Sequence, residues 1–217
     1  LFNMKILALI ALYKRPEVVE FCVQELRKLD VTPLFILSPD DPHYSKLKKI
    51  ISDFHYIEFP NYPLGLKMNM GVAASLQMEY DYFMNMGSDD VIEPRILDEM
   101  KPYFNNGDKL IGYNSCFVVN FKTKEKFYLE NVCKEYPIGA GRMIHRSIID
   151  DMVTMQRYNL YEDDIMAGLD GNSSKRIKFA TGIEPKIIFT KNPPVTDYKT
   201  NTNINPIPQI WRHLQKI

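Results

Sequence analysis

Lys5-Ile6-Leu7-Ala8-Leu9-Ile10-Ala11-Leu12, followed at once by Tyr13-Lys14-Arg15-Pro16-Glu17, sets the fold class. The first eight residues are almost continuously apolar, the pattern of a strand covered on both faces rather than one alternating between core and water. Pro16 suits a first helical turn and Glu17 the positive end of a helix dipole. Val18, Val19, Cys22, Val23, Leu26 and Leu29 then recur at helical spacing. The first unit is therefore strand, polar turn, helix.

The alternation continues outward. A short strand is expected over 33–37, then the turn Ser38-Pro39-Asp40-Asp41-Pro42, a helix over 46–51 and a strand near 55–59. A helix over 67–79 leads to a fourth strand, 82–86, which ends in Gly87-Ser88-Asp89-Asp90, and another helix follows Pro94 to about residue 104. Strands alternating with helices imply right-handed crossovers and a mostly parallel sheet, flanked by helices, whose ligands gather at the carboxyl ends of the strands. The pattern then changes. Strands over 110–121 and 126–129 flank Thr123-Lys124-Glu125 as a hairpin, giving a small antiparallel extension, and Pro137-Ile138-Gly139-Ala140-Gly141 is a close-approach segment. A strand at 143–144, helices over 148–153 and 161–169, and a strand over 186–189 complete the expected elements. Residues 191–217 read as an irregular tail in which Ile210, Trp211 and Leu214 could dock a short helix.

Composition narrows the function. Of 217 residues, 45% are hydrophobic and 25% charged, so one large domain with a substantial core is expected. Lys plus Arg and Asp plus Glu both number 27, which gives no basic field for nucleic acid and no excess charge for membrane adsorption. No apolar run approaches the roughly 20 residues of a transmembrane segment, and no leader cleavage pattern follows the first strand, so a cytoplasmic location is expected. Cys22, Cys116 and Cys133 show no metal spacing and read as packing residues.

Five polar clusters could carry chemistry. Asp89 and Asp90 are either hard oxygen ligands for Mg²⁺ or Mn²⁺ at a strand end or caps of the next helix. Arg15 could reach a phosphate or stack on a base, or belong to a solvated turn. Ser38 and Asp40 could accept from a ribose or base, or form an Asx-type turn. Lys67 and Asn69, between Gly65 and Gly71, supply donors, without the ending that would make a P-loop. Glu162-Asp163-Asp164 offers a general base or simply complements a helix N-terminus.

The order of these clusters resembles the inverting family 2 glycosyltransferases with the GT-A fold, over roughly residues 4–170. The resemblance rests on Tyr13 to Glu17, the acidic turn at 38–41, Gly65 to Gly71, Tyr80-Asp81-Tyr82-Phe83-Met84 leading into Gly87-Ser88-Asp89-Asp90, residues 139–146, and Glu162-Asp163. It implies a GT-A domain over 4–190, with 4–93 binding the nucleotide sugar and 94–190 facing the acceptor. It also implies Mn²⁺ or Mg²⁺ on Asp89 and Asp90, with Tyr13, Arg15, Ser38, Asp40, Lys67 and Asp89 around the donor and Asp163 as catalytic base. The activity implied is transfer from a nucleotide-diphosphate sugar, a UDP-sugar first, to a carbohydrate or other hydroxyl acceptor, as a hexosyltransferase-like enzyme. One departure stands out: where many members carry an earlier aspartate, this chain has Gly87 or Ser88, and either Asp89 or Asp90 can be the direct ligand. Two alternatives remain, a non-catalytic sugar-nucleotide-binding module and a nucleotidyltransferase, although the latter usually has a glycine-rich loop where Tyr13–Glu17 has none.

Overall fold

The computed structural model describes residues 4–130, 134–155 and 157–200, together with the backbone of 214–216. Strand β1 (Ile6–Ala11) leads to helix α1 (Pro16–Leu26), then β2 (Thr32–Leu37), α2 (Tyr44–Ile50), β3 (His55–Glu58), α3 (Leu64–Ser75) and β4 (Tyr82–Gly87). Next come β5 (Asp90–Ile92), α4 (Arg95–Asn105), β6 (Leu110–Tyr113), β7 (Ser115–Asn120), β8 (Lys126–Glu130) and β9 (Arg142–His145). Helix α5 (Arg146–Ile149) runs into a π-helical turn, Asp150–Met155, before α6 (Leu169–Thr181), β10 (Lys186–Ile188), β11 (Val195–Lys199) and β12 (Leu214–Lys216).

The main sheet has the order β10-β6-β9-β4-β1-β2-β3. Strands β3, β2, β1 and β4 are mutually parallel, and β9 is antiparallel to both of its neighbours. The apolar run of β1 is explained by its two faces. Ile6, Ala8 and Ile10 pack with Val19, Val23 and Leu26 of α1, whereas Leu7 and Leu9 pack with Met68 and Val72 of α3. Each fully buried leucine here contributes about 1.5–3 kcal/mol relative to exposure. Strand β1 thereby sits rigidly at mid-sheet, and its carboxyl end is the floor from which the Tyr13–Pro16 turn emerges.

A second sheet has the order β12-β8-β7-β11-β5. It divides the single strand expected over 110–121. Residue Asn114 lies between β6, which joins the main sheet, and β7, which joins the second; its backbone N–H donates to Ile188 O at 2.9 Å. Asparagine is a poor strand residue, and this break lets one chain segment serve two sheets.

Two further expectations are corrected. The tail is not irregular from residue 191: Val195–Lys199 is inserted between β5 and β7, antiparallel to the first and parallel to the second. Its inward face carries Asp197 and Lys199, so it lacks the apolar alternation by which a half-buried strand is read. Leu214 lies in a strand paired with β8 rather than in a helix, and Ile210 and Trp211 fall outside the described residues. The helix expected over 161–169 is absent. Asn69 captures the backbone there, accepting from Tyr161 N at 3.0 Å and donating to Tyr161 O at 2.8 Å, and the helix starts later, at Leu169.

Candidate active site

At the carboxyl ends of β1 and β4 lies a cleft of about 570 Å³. Of the residues singled out from sequence, Tyr13, Arg15, Lys67, Asp89 and Asp90 line it; Ser38, Asp40 and Asp163 do not. Two residues that the sequence did not single out, Asp197 and Lys199 of β11, line it as well.

The turn after β1 is conformationally unusual. Lys14 and Arg15 have φ of 59° and 55°, the left-handed region that side-chain-bearing residues rarely adopt. Two such residues in succession cost about 1 kcal/mol or more each, a cost often found at functional sites. The strained turn aims Arg15 across the end of β4, where its guanidinium donates to Asp89 Oδ2 at 2.8 Å and Ser88 Oγ at 3.1 Å.

Asp89, Asp90 and Asp197 each present a carboxylate oxygen within 4.8 Å of the others. The pairing of β5 with β11 places Asp90 opposite Asp197. A Cβ at Gly87 would come within 2.9 Å of Asp90 Oδ2 and 3.0 Å of Asp89 Oδ1, so a side chain there would intrude where the carboxylates converge. Strand alternation turns residues 195, 197 and 199 to one face, putting Lys199 beside Asp197. Its Nζ lies 2.6 Å from Asp197 Oδ2 and 3.7 Å from Asp89 Oδ2.

Charge follows this geometry. Burial, then the neighbouring Asp197 and Asp89, push the Asp90 carboxyl well above the usual range. Burial likewise lifts Asp197 to about 6, against the pull of Lys199. Asp89 is also buried, but Arg15 and Lys199 outweigh burial and hold it below the ordinary carboxylate range. Gly87 N–H donates to Asp90 Oδ2 at 2.6 Å, while the buried Asp197 Oδ1 has no hydrogen-bond partner among the described residues. Three converging hard oxygen donors, one of them orphaned, fit a divalent cation such as Mg²⁺ or Mn²⁺.

No family model matches the sequence, and neither does any curated protein sequence. Solved structures do resemble it. S. aureus TarS 1-349 in complex with UDP-GlcNAc superposes with a TM-score of 0.65 at 11% identity, covering 92% of this chain and 60% of that one. The same fragment with UDP gives 0.64 at 9%, covering 91% and 61%, and a longer TarS chain gives 0.66 at 10%, covering 90% and 37%. The chain has the GT-A fold. It spans well under two thirds of these TarS chains. Among the described residues no helix is long and apolar enough to cross a membrane.

Within this GT-A sheet, Ser38 and Lys67 form one unit. Lys67 is fully buried, and its Nζ donates to Ser38 Oγ at 2.6 Å, Leu12 O at 2.7 Å and Asn61 Oδ1 at 3.1 Å. Asp40 is exposed on its turn and accepts from Asn61 N at 3.1 Å. Burial drives the Lys67 pKa down to about 7, with Asp40 and Asp41 pulling weakly the other way. The unfolded chain therefore binds more protons at this group between about pH 7 and its ordinary value of 10.5, so its contribution to stability rises with pH across that window. Lys67→Met removes this dependence. Thermal melts should show the gap between wild type and variant widening in favour of wild type from pH 7 to pH 10; a constant gap would contradict a depressed lysine.

Asp163 does not line the cleft; it lies in a turn that caps α3. Leu66 N donates to Asp163 O at 3.0 Å and Gly65 N to Ile165 O at 2.9 Å, satisfying two of the orphan N–H groups of the helix start. The Asp163 carboxylate is exposed, with Oδ1 accepting from Asn69 Nδ2 at 2.8 Å and Asn159 Nδ2 at 3.0 Å. Gly65 makes this approach possible, since a Cβ would sit 1.9 Å from Glu162 O and 2.6 Å from Ile165 Cγ2. The obstruction includes backbone, so the turn must move. Gly65→Ala should cost about 1–3 kcal/mol, read as a melting temperature lowered by several degrees. An unchanged melting temperature would mean the turn is loosely held.

The cleft lining also includes Gly139 and Asp170 of α6, whose carboxylate a Cβ at Gly139 would meet at 1.9 Å. Beneath it the fully buried Arg142 donates to Asp170 O at 2.8 Å, Ser174 Oγ at 2.9 Å and Ser173 Oγ at 2.7 Å. The close-approach reading of 137–141 is thus accounted for, and Asp170 is a cleft residue that the sequence did not single out.

Proposed function

We propose that this chain is a glycosyltransferase, hexosyltransferase-like, that moves a sugar from a UDP-sugar to an acceptor hydroxyl with inversion. The observation that carries this reading is the convergence of Asp89, Asp90 and Asp197 with Arg15 and Lys199 in the cleft of a GT-A fold. Support comes from two of the TarS structures, one in complex with UDP-GlcNAc and one with UDP.

In this reading residues 4–93 form the donor side and 94–190 much of the acceptor side. Tyr13 and Tyr62, whose rings meet edge to face at 6.0 Å, form an aromatic wall for the base. Arg15 reaches the diphosphate, Lys67 closes the cleft floor, Ser38 acts through Lys67, and Asp40 accepts from the nucleoside. Asp89, Asp90 and Asp197 would hold a divalent cation, Mn²⁺ or Mg²⁺, which when bound would supply positive charge to the leaving diphosphate. Asp163 takes the proton of the acceptor hydroxyl as that oxygen bonds to the anomeric carbon and the bond from that carbon to the diphosphate oxygen breaks.

The test is a thermal-shift and hydrolysis panel of UDP-, GDP- and dTDP-sugars with and without Mn²⁺. UDP-sugar with Mn²⁺ should stabilise by about 2.7 kcal/mol at a hundredfold excess over Kd, more than either alone, and should be slowly hydrolysed. Absence of any nucleotide-dependent shift would overturn the reading, whereas shifts without turnover of any donor would favour a binding module.

A further inference from the structure

Lys199 is placed differently from the other cations of the cleft. Arg15 approaches the acidic cluster from the strained turn after β1 and holds Asp89 from one side. Lys199 extends from the same face of β11 as Asp197 and puts its ammonium between two members of the cluster, 2.6 Å from Asp197 Oδ2 and 3.7 Å from Asp89 Oδ2. Its side chain is only 13% exposed, so water provides little alternative solvation for that charge. A cation at about 2.1 Å from either of those oxygens would lie within about 6 Å of the ammonium, with little solvent to screen two like charges.

We infer that the Lys199 ammonium is an internal counter-cation of the three-carboxylate cluster, and that a divalent ion binds by displacing it. This inference rests on the proposed metal role of Asp89, Asp90 and Asp197. Two features of the geometry favour competition over coexistence. The oxygens that the ammonium contacts belong to two of the three carboxylates that converge within 4.8 Å. The orphaned Asp197 Oδ1 shows that one ammonium does not satisfy the cluster's acceptors, leaving a reason for a higher-charge ion to enter. A lysine stem has rotatable bonds enough to swing aside, and the displaced ammonium stays in the cleft where a diphosphate would lie.

Calorimetric titration of Mn²⁺ into wild type and Lys199→Met, in the absence of nucleotide, tests the competition. The variant should bind Mn²⁺ about tenfold or more tightly, because the competing charge is gone. Equal or weaker binding by the variant, or no binding by either protein, would overturn the inference. Wild type provides a second measurement that does not depend on the variant folding. Amine acylation of Lys199, quantified by peptide mass spectrometry, should increase when Mn²⁺ saturates the protein, and unchanged or reduced labelling would also overturn it. Binding of UDP to metal-free wild type, titrated in parallel, reports on the nucleotide reading separately, so failure of one is distinguishable from failure of the other.

Discussion

Asp89→Asn should lower turnover of a UDP-sugar by about 10²–10³-fold, the usual consequence of removing one preorganised electrostatic group from a transition-state site. The reason lies in what Asp89 balances. Its carboxylate accepts from Arg15 at 2.8 Å and lies 3.7 Å from Lys199, and these cations keep it ionised despite burial. An amide of the same shape retains one acceptor oxygen but loses the charge, so both cations lose a counter-charge and the proposed divalent cation would lose an anionic ligand. Stability should fall too, by about 1–3 kcal/mol, since the pair is largely but not wholly shielded from water. Asp90→Asn should behave differently toward folding. Asp90 faces Asp197 and Asp89 and is held toward its neutral form, so an amide there relieves repulsion while preserving the acceptor for Gly87 N–H. Initial rates with and without Mn²⁺, together with thermal melts, separate the two variants. Turnover of Asp89→Asn near the wild-type rate would remove Asp89 from the site.

The parts of this fold that could be read in sequence are those whose burial is symmetrical. Strand β1 is apolar along its length because Ile6, Ala8 and Ile10 face one helix layer and Leu7 and Leu9 the other, and nothing but a central strand needs that pattern. Strand β11 shows the opposite case. Val-Thr-Asp-Tyr-Lys turns Val195, Asp197 and Lys199 inward, and a strand with a carboxylate and an ammonium on its buried face does not display alternating hydrophobicity. Its only local signals were a β-branched pair, Val195-Thr196, and Tyr198 after Pro193-Pro194. Helix α6 was hidden for a related reason. Gly171, Ser173 and Ser174 are weak helix formers, and their presence is explained by partners elsewhere: Tyr136 packs against Gly171, and Arg142 takes both hydroxyls. The left-handed backbone at Lys14 and Arg15 had no sequence signal at all, since neither is a residue that prefers it. What local pattern could not supply was in each case a tertiary partner.

Asp163→Asn should reduce transfer to an acceptor by about 10²–10⁴-fold, the range expected for loss of a general base, while leaving the fold intact. Two observations make the variant informative. Among the described residues the side-chain hydrogen bonds, from Asn69 Nδ2 and Asn159 Nδ2, both reach Oδ1, and the carbonyl oxygen of an asparagine can accept both in the same place. The capping contact to α3 comes from Asp163 O on the backbone and is untouched. Melting temperature should therefore change little, and donor binding, proposed to fall to Tyr13, Arg15 and Asp89, should stay near wild type. The deficit should appear in kcat for transfer rather than in KM for the donor. Because Asp163 is exposed and lies outside the buried carboxylate cluster, the proposed role depends on an acceptor hydroxyl being presented there. Slow hydrolysis of the donor by water should thus be less affected than transfer to a true acceptor. Equal loss of both reactions would place Asp163 in donor chemistry, and retention of wild-type transfer would move the base elsewhere, with Asp170, which lines the cleft, the next carboxylate to substitute.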